Sequence, residues 1–526
     1  MFFKSLFISI SSISLASWAI IAPVSAQPSR LPIIREKAFW QAIDERDPAA
    51  LEGKHIPPKY FKQCKKKITP LNHAILNKDT AMVRLLIERG AGVNQPDKDK
   101  DTPLHAAVMI ASKEIVELLL LHHSVDLDRQ NHYDRTPLFI AIKNNQYDLV
   151  VQLVRKGANK EIKGKIKSNG VYSYQTPLGL AIESCPKIAA FLIQNGVNLY
   201  QKGIQGYYPI VDAVLYQREE LVDLMRAQGV PLFYPEEVDF TVLHAAAYHT
   251  AVYLKRYLDM APAGKQDQQD AHGDTPLHYA ARYGKPETVA LLLARGANFH
   301  IANKLGYQPL SFVVTHPNKT SQLAIARLLI KQGADVNALD HKFTVLGNAV
   351  LNGKMELIKL LLENKVNIEQ LPTNPLYFKR STLDKLFSHK VRFINSQTTL
   401  LHLAIGQGHT AIAQFLLARN PALVNQRDAF GCTPLHYAAI LDNIEITHDL
   451  LAHGARLDIR EKQKGYTPIE FAKNMRLQYR DENTNRPIHY GGNRVTQLLA
   501  SWQKEQKKKA KEEKRKKRNE KKKAKK

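Results

Sequence analysis

Apolar and polar residues follow one another along most of this chain in a pattern that predicts pairs of short helices. The clearest example is residues 274–296, DTPLHYAARYGKPETVALLLARG. Thr275 before Pro276 is typical of a helix start, with Thr as the N-cap and Pro at the first helical position. Residues 284–286 separate this helix from a second one, which Gly296 closes. Two such helices cannot bury their apolar faces alone, so we expect copies that stack.

The motif recurs, mostly at spacings of 32 to 35 residues. Its twelve starts are Thr69, Thr102, Thr136, Thr176, Tyr208, Thr241, Thr275, Gln308, Thr344, Thr399, Thr433 and Thr467. The ends of the second helices repeat too, as in LLIERGA at 85–91 and LLARGA at 292–297. This pattern resembles the ankyrin-repeat family, whose T-P-L-H-x-A motif and period near 33 residues it matches. The resemblance covers residues 69–500. It implies an all-α, curved solenoid of about 12 helix-turn-helix repeats with β-hairpin loops.

The N-terminal residues have the features of a secretory signal peptide. Lys4 supplies the positive charge, residues 6–22 form an apolar run interrupted by serines, and small residues at 24–26 place cleavage after Ala26. An uncleaved membrane anchor is the alternative. Residues 27–68 are then expected to cap the stack, with a helix over 35–45 and a short helical stretch opening at Pro48.

Three places break the repeat period, near residues 160–175, 371–394 and 480–493. The first lengthens a hairpin loop that contains three lysines and two tyrosines. The second begins with two prolines and continues, over 381–394, in a pattern that fits a short amphipathic helix. Insertions in repeat arrays map to loops, often on the binding face, but loop-closure entropy also tolerates insertions that have no role.

Charge is concentrated at the C-terminal end. The net charge is +26, and residues 504–526 hold 15 Lys and Arg against 4 Glu. Residues 501–526 contain good helix formers but no apolar stripe. We therefore expect this tail to be disordered or a fraying extension of the last helix. It could hold an anionic lipid, a surface polymer or nucleic acid through charge alone.

Motifs of catalytic sites are absent from the sequence. It contains no G-x-S-x-G, Walker A, H-E-x-x-H or G-x-G-x-x-G motif. The histidines of the repeated motif are His105, His244, His278, His402 and His436. The resemblance implies that they join neighbouring repeats by hydrogen bonds, and His316 is expected to stand alone in a loop. The prediction is a protein that is not an enzyme and has no catalytic residue, cofactor, metal or small-molecule substrate.

The three cysteines are too far apart along the predicted stack for an intrachain disulfide. Stacked helices lie about 8–10 Å apart, whereas bridged Cα atoms lie within about 7 Å. Cys432 is expected to be an inert surface or half-buried thiol, or else an exposed thiol that pairs with another chain.

The family resemblance also implies where a partner would bind. Ankyrin stacks contact protein ligands through residues just before the motif and just after its two alanines. Carried onto this sequence, the candidate residues are Tyr133, Tyr207, Phe240, Arg282, Tyr283, Tyr307, Phe343, Phe430 and Tyr466. Exposed aromatic side chains make good interface anchors. The alternative is that each ring packs on the adjacent hairpin.

Two functions remain open at this stage. One is an exported, monomeric scaffold, periplasmic or secreted, that binds an unknown protein partner through hairpin tips and inner helices. By analogy, it would be of the kind that bacteria secrete as effectors. The other is an electrostatic binder of anionic surfaces through the basic tail.

Overall fold

The structure is a computed structural model that describes residues 31–65, 67–168, 170–234, 240–316, 318–338, 344–364, 366, 398–475 and 493–523. The predicted signal peptide therefore lies outside the described residues, as do the whole 371–394 insertion and residues 480–492 of the 480–493 insertion. The chain divides into two compact units: unit 1, residues 1–230, and unit 2, residues 231–526.

Each unit is built from helix pairs, one pair for each predicted repeat. In unit 1, repeats 1 to 5 are Pro70–Leu76 with Thr80–Glu88, Pro103–Met109 with Lys113–Leu120, Pro137–Lys143 with Tyr147–Arg155, Pro177–Ser184 with Pro186–Gln194, and Pro209–Leu215 with Glu219–Ala227. In unit 2, repeats 6 to 12 are Val242–Ala247 with Ala251–Met260, Pro276–Tyr283 with Pro286–Ala294, Pro309–Phe312 with Lys319–Lys331, Val345–Leu351 with Met355–Glu363, Leu400–Gly406 with Thr410–Arg419, Pro434–Ile440 with Ile444–Ala452, and Pro468–Met475 with Asn493–Lys523. The twelve predicted starts thus all open a helix.

Helix starts are fixed by the Thr-Pro pair. In repeat 7, Thr275 has an extended backbone and is the N-cap, and Pro276 begins the helix. Its apolar residues Leu277, Ala280 and Ala281 are fully buried, so the predicted apolar face is the one that packs against neighbouring helices. Stacking, rather than the intrinsic stability of eight-residue helices, therefore holds the repeats together.

The five motif histidines each connect their own repeat to the next one. The backbone N–H of Thr275 donates to Nδ1 of His278 at 3.0 Å, so Nε2 carries the proton and donates to the carbonyl of Tyr307 at 2.9 Å. His105, His244, His402 and His436 make the same pair of contacts in their own repeats. This confirms that their role is structural.

The described residues before the first repeat form helical segments, and their role as the cap of the stack stays a prediction. A helix over Glu36–Asp44 buries Phe39, Trp40 and Ile43, and a 3-10 helix over Pro48–Leu51 and a helix over Pro58–Phe61 follow it. Phe39 packs against Tyr60 and Phe61 at centroid distances of 5.6 and 6.1 Å.

The first period break is a long antiparallel hairpin. Strand β1, Gly164–Ser168, pairs with strand β2, Val171–Gln175, in the register Lys165 to Tyr174 and Lys167 to Tyr172. Gly170, which precedes β2, has φ of 84°, a left-handed conformation that tight hairpin loops favour. We call the hairpin loop before each first helix a finger. The seven extra residues therefore lengthen the finger of repeat 4.

The last described element is a single long helix. Asn493–Lys523 spans 31 residues, begins as the second helix of repeat 12 with Val495 and Leu499 buried, and runs on into the basic tail. The structure therefore places the tail residues up to 523 in a helix. Ion pairs four residues apart, Glu505 with Lys509 and Glu513 with Lys517, lie along it.

Candidate functional site

Aromatic side chains gather in unit 2 where the first helices and fingers of repeats 6 to 9 lie side by side. A cavity of about 630 Å³ opens there. We call it the aromatic pocket. Its central residues are Tyr248, Tyr279, Arg282, Tyr283, Tyr307 and Phe312, and its wall is completed by Lys304, Leu305, Asn348 and Asn352 among others.

The helix-start motif places these side chains on one surface. Tyr279, Arg282 and Tyr283 belong to the helix Pro276–Tyr283, and their spacing of three and four residues puts them on the same side of it. Tyr248 immediately follows the first helix of repeat 6, and Phe312 ends that of repeat 8. Three consecutive repeats thus contribute rings at the ends of their first helices.

The rings contact one another directly. Tyr248 stacks on Tyr283 with centroids 4.9 Å apart and lies 5.3 Å from Tyr279. Beneath them, Phe240 meets the Tyr279 ring edge to face at 5.2 Å. Aromatic pairs of this kind contribute about 0.5–1.5 kcal/mol beyond the area they bury. The pocket is therefore preorganised.

Arg282 is the main charge of the pocket. Its guanidinium lies 4.9 Å from the Tyr283 ring centroid and 5.7 Å from that of Phe312. No hydrogen bond or ion pair of its side chain is seen to any residue that the structure describes. The planar fork of donors is thus held against two rings and is available to a carboxylate of a bound molecule.

The acidic groups near the pocket are engaged inside the protein. Asp270 accepts a hydrogen bond of 2.7 Å from the Tyr279 hydroxyl, and Asp274 accepts one of 2.7 Å from the Asn303 amide. Burial raises the pKa of Asp274. Burial, and then the contact with Asp270, raise the pKa of Tyr279 well above its usual value, so this hydroxyl stays neutral. The pocket lining thus holds two cationic side chains, Arg282 and Lys304, and one carboxyl group, Asp274, which is bonded to Asn303.

Three of the nine residues proposed from the sequence meet in this pocket: Arg282, Tyr283 and Tyr307. Tyr133 is exposed in unit 1, where it stacks on Tyr172 of the long hairpin. Tyr207, Phe430 and Tyr466 are half-buried and lie apart from the pocket, and Phe343 lies outside the described residues.

Phe240 does not have the exposure that the prediction required. Its side chain is 6% exposed, because its ring packs on Tyr279 and on His244, at 5.2 and 5.4 Å. It supports the pocket from below.

Two other expectations need correction. Cys432 is 3% exposed rather than at the surface, and burial raises the pKa of its thiol. His316 does not stand alone, because its Nε2 donates to the Gly284 carbonyl at 2.8 Å and its ring is buried. All three cysteines are free.

Three residues of the pocket were missed in the sequence. Tyr248 follows the alanines of repeat 6, so the rule that selected Arg282 and Tyr283 would have found it. Tyr279 occupies the position after the motif histidine, which the rule does not cover. Phe312 was hidden by the degenerate motif of repeat 8, where QPLSFV stands in place of TPLHYA.

Comparisons with known proteins establish the family. The family model for ankyrin repeats, in units of three copies, matches residues 51–131, 71–164, 110–203, 210–303 and 376–461, which together exceed half of the chain. The chain therefore belongs to the ankyrin-repeat family. Ankyrin repeats generally mediate protein–protein interaction, and the family is typically a non-catalytic scaffold.

Individual relatives share the repeats over much of this chain. The human transient receptor potential cation channel subfamily A member 1 is 24% identical over 419 residues, which are 74% of this chain and 36% of the channel subunit. The Caenorhabditis elegans ankyrin repeat and KH domain-containing protein mask-1 is 25% identical over 74% of this chain and 16% of its own length. This chain thus spans well under two thirds of either relative. The human ASB11 ankyrin repeat domain matches 49% of the chain at 22% identity, with a TM-score of 0.31.

The described residues offer neither a metal-binding cluster nor a membrane-spanning helix. No group of three or more His, Cys, Asp and Glu side chains is placed to hold a metal ion in the part of the chain that the structure describes. Within the same residues, every helix is too short or too polar to cross a bilayer.

Proposed function

We propose that this chain is a scaffold whose aromatic pocket binds a protein partner. The observation that carries the proposal is Arg282, whose guanidinium lies against two aromatic rings in an open cavity and makes no ion pair within 4 Å with any described residue. Tyrosine and arginine are the residues that most often dominate binding energy at protein interfaces. The matching partner surface is an apolar or aromatic side chain next to a carboxylate.

Capture of the partner by variants of the chain tests this proposal. Tyr283→Ala and Arg282→Ala remove pocket side chains, and Tyr147→Ala is the matched control, because Tyr147 and Tyr283 are both 40% exposed but Tyr147 lies on a second helix of unit 1. A partner captured by the native chain and by Tyr147→Ala, and at least tenfold less by both pocket variants, supports the proposal. Equal capture by all four chains rejects it.

A second candidate function rests on the last helix. Side chains 503–517 are all exposed, and the tail from 504 onward carries 15 basic and 4 acidic residues. Binding to an anionic surface would weaken steeply with salt. The test compares the full chain with one lacking 504–526 on vesicles containing phosphatidylserine, at 0.1 and 0.5 M salt. Binding that is lost with the tail and with salt supports this function, and binding that survives both changes rejects it.

We also propose that the chain is exported through a cleaved signal peptide. It is supported by the positive, apolar and small-residue regions over residues 1–26. Intact mass measurement after expression in a bacterium tests it. A mature chain that begins at Gln27 and is found outside the cytoplasm is the expected result, and an intact N-terminus retained inside the cell would contradict it.

A further inference from the structure

The long hairpin of unit 1 presents an ordered, exposed surface of tyrosine and lysine side chains. Tyr172 and Tyr174 are each 49% exposed on β2, and their cross-strand partners on β1 are Lys167 and Lys165. Because directly opposed residues share a face of a sheet, these four side chains form one Tyr/Lys face. Val171, which is 64% exposed, lies on the other face.

The outer edge of β1 is already occupied. The N–H of Lys165 donates to the carbonyl of Tyr133 at 3.1 Å, and its carbonyl accepts from Nε of Arg135 at 2.6 Å. Both backbone groups of Lys165 therefore point away from β2. In an antiparallel pair this makes Lys165 and Tyr174 a non-hydrogen-bonded pair, and so too Lys167 and Tyr172 two residues further on.

The same alternation leaves the outer edge of β2 open. The N–H and C=O groups of Tyr172 and Tyr174 must point away from β1, and no hydrogen bond of these four groups is found to any described residue. In other repeats a backbone N–H of the next finger donates to a carbonyl at the corresponding position, as the N–H of Lys304 donates to the carbonyl of His272. Here Ile204 donates instead to the side-chain Oε1 of Gln175 at 3.1 Å. The outer edge of β2 before Gln175 therefore receives no backbone hydrogen bond from the next finger.

We propose that an extended acidic peptide segment of a partner protein adds a strand to the outer edge of β2. Four outward-pointing backbone groups supply the main-chain hydrogen bonds of strand addition. The charge of the Tyr/Lys face sets the chemistry: Lys165 has Asp134 as an ion-pair partner at 2.6 Å, whereas Lys167 has no carboxylate partner among the described residues. Acidic side chains alternating with small apolar ones fit the two faces.

Two other occupants fit the surface less well. A second copy of this chain would pair its own β2, which has no acidic side chain, and would therefore supply no carboxylate to Lys167. Single-stranded nucleic acid needs open ring faces for stacking. Here Tyr172 stacks on Tyr133 at 6.1 Å, and Lys167 and Lys165 lie 5.6 and 5.3 Å from the ring centroids of Tyr172 and Tyr174.

Binding of designed peptides to the full chain tests the proposal. The probe is a fluorescent peptide of four Glu-Val repeats. A peptide of four Glu-Pro repeats has the same charge but lacks half of the donors, and a peptide of four Lys-Val repeats inverts the charge. We expect the Glu-Val peptide to bind at least tenfold tighter than either control at 0.15 M salt. Equal binding of the Glu-Val and Glu-Pro peptides would show that charge alone, including that of the basic tail, explains the interaction, and would overturn the proposal.

Variants separate the strand edge from the side chains. Tyr172→Ala removes the ring and keeps the N–H, while Tyr172→Pro removes both; proline is tolerated on an edge strand whose N–H faces solvent. We expect Tyr172→Pro to bind the Glu-Val peptide at least fivefold more weakly than Tyr172→Ala does, with unchanged circular dichroism. Lys167→Glu, which leaves the backbone intact, should also lose at least fivefold. Equal affinities of the two Tyr172 variants would overturn the proposal, whatever Lys167→Glu does.

Two further measurements address the edge itself and the other occupants. On binding, hydrogen exchange of the Tyr172 and Tyr174 amides should slow, and unchanged exchange would reject strand addition. Concentration-dependent dimers lost in Tyr172→Pro would assign the edge to a second copy. Tighter binding of a twelve-residue oligothymidine than of the Glu-Val peptide, reduced in Tyr172→Ala, would assign the surface to nucleic acid. Either result would overturn the proposal.

Discussion

At the scale of single residues, burial determines what the polar side chains of this protein do. The motif histidines are enclosed and hydrogen-bonded through both ring nitrogens, and burial lowers the pKa of His278 to about 4 and that of His402 to about 3. They act as neutral links between repeats. The family resemblance was sufficient to predict this role, and the three-residue spacing from the N-cap to the histidine explains the contact of Nδ1 with the N-cap N–H.

Replacing His278 by Ala should destabilise the fold. The change removes the imidazole bond to the Tyr307 carbonyl, which keeps its bond from the Asn303 N–H at 2.9 Å. It also removes the partner of the buried Thr275 N–H, which costs about 1–3 kcal/mol. Urea unfolding at pH 7.5 measures it, with His453→Ala as the control, because His453 is exposed at the end of a second helix. A loss of stability no larger than that of the control would contradict the structural role.

The same variant should respond less to acid. The pKa of His278 is about 4 in the folded state and about 6.5 in the unfolded chain, so only the unfolded chain binds the proton between these values. The stability that the neutral histidine contributes is complete above pH 6.5 and is lost as the pH falls towards 4. Between pH 7.5 and 4.5 the native chain should therefore lose roughly 2–3 kcal/mol more than His278→Ala. Parallel pH dependences of the two chains would contradict this.

Asp212 should make the stability of the fold depend on pH in the opposite direction. Burial, and then Glu183, raise its pKa to about 7, so the folded chain favours the neutral acid. Stability is then highest below pH 4 for this group and falls as the pH rises through 7, by an amount on the order of 4 kcal/mol. Asp212→Asn should remove this loss and raise the unfolding midpoint at pH 8. A lower midpoint of the variant at pH 8 would show that the carboxylate is stabilising.

At the scale of elements, close backbone approach sets how adjacent repeats fit. Gly284 ends the first helix of repeat 7, and its carbonyl accepts the hydrogen bond from His316 of repeat 8. The sequence indicated a chain break at this glycine but not the reason for it. A Cβ atom there would lie 2.7 Å from the Ala280 carbonyl oxygen and 3.0 Å from that of Ala247. The glycine is therefore required by the contact between repeats 6 and 7.

Gly284→Ala should consequently destabilise unit 2. Both nearby atoms belong to the backbone and cannot move aside cheaply, so we expect a cost of about 1–3 kcal/mol, as for other overpacked sites. Gly92→Ala is the matched control, since its nearest neighbour would lie at an ordinary 3.5 Å. Thermal unfolding should give a lower midpoint for Gly284→Ala than for Gly92→Ala. Equal midpoints would contradict the role of close backbone approach at Gly284.

At the scale of the whole molecule, repetition made the architecture predictable, whereas the site had to be assembled from several repeats. The twelve starts and the hairpin insertion were evident in the sequence because each depends on local spacing. The aromatic pocket depends on which rings of neighbouring repeats contact one another, and the sequence of a single repeat does not contain that information. Phe240 illustrates the difference: its position before the motif suggested a surface residue, yet the rings of Tyr248 and Tyr279 cover it.

The most direct test of the central claim is photo-crosslinking from the aromatic pocket. Benzoylphenylalanine is placed at Lys304 or Leu305 on the pocket wall, both exposed, and at Tyr147 as the control away from it. If the pocket binds a protein partner, one defined crosslinked product should form from positions 304 and 305 and not from 147, and Arg282→Ala should abolish it. A product that forms equally from all three positions, or that persists in Arg282→Ala, would contradict the assignment of partner binding to this pocket.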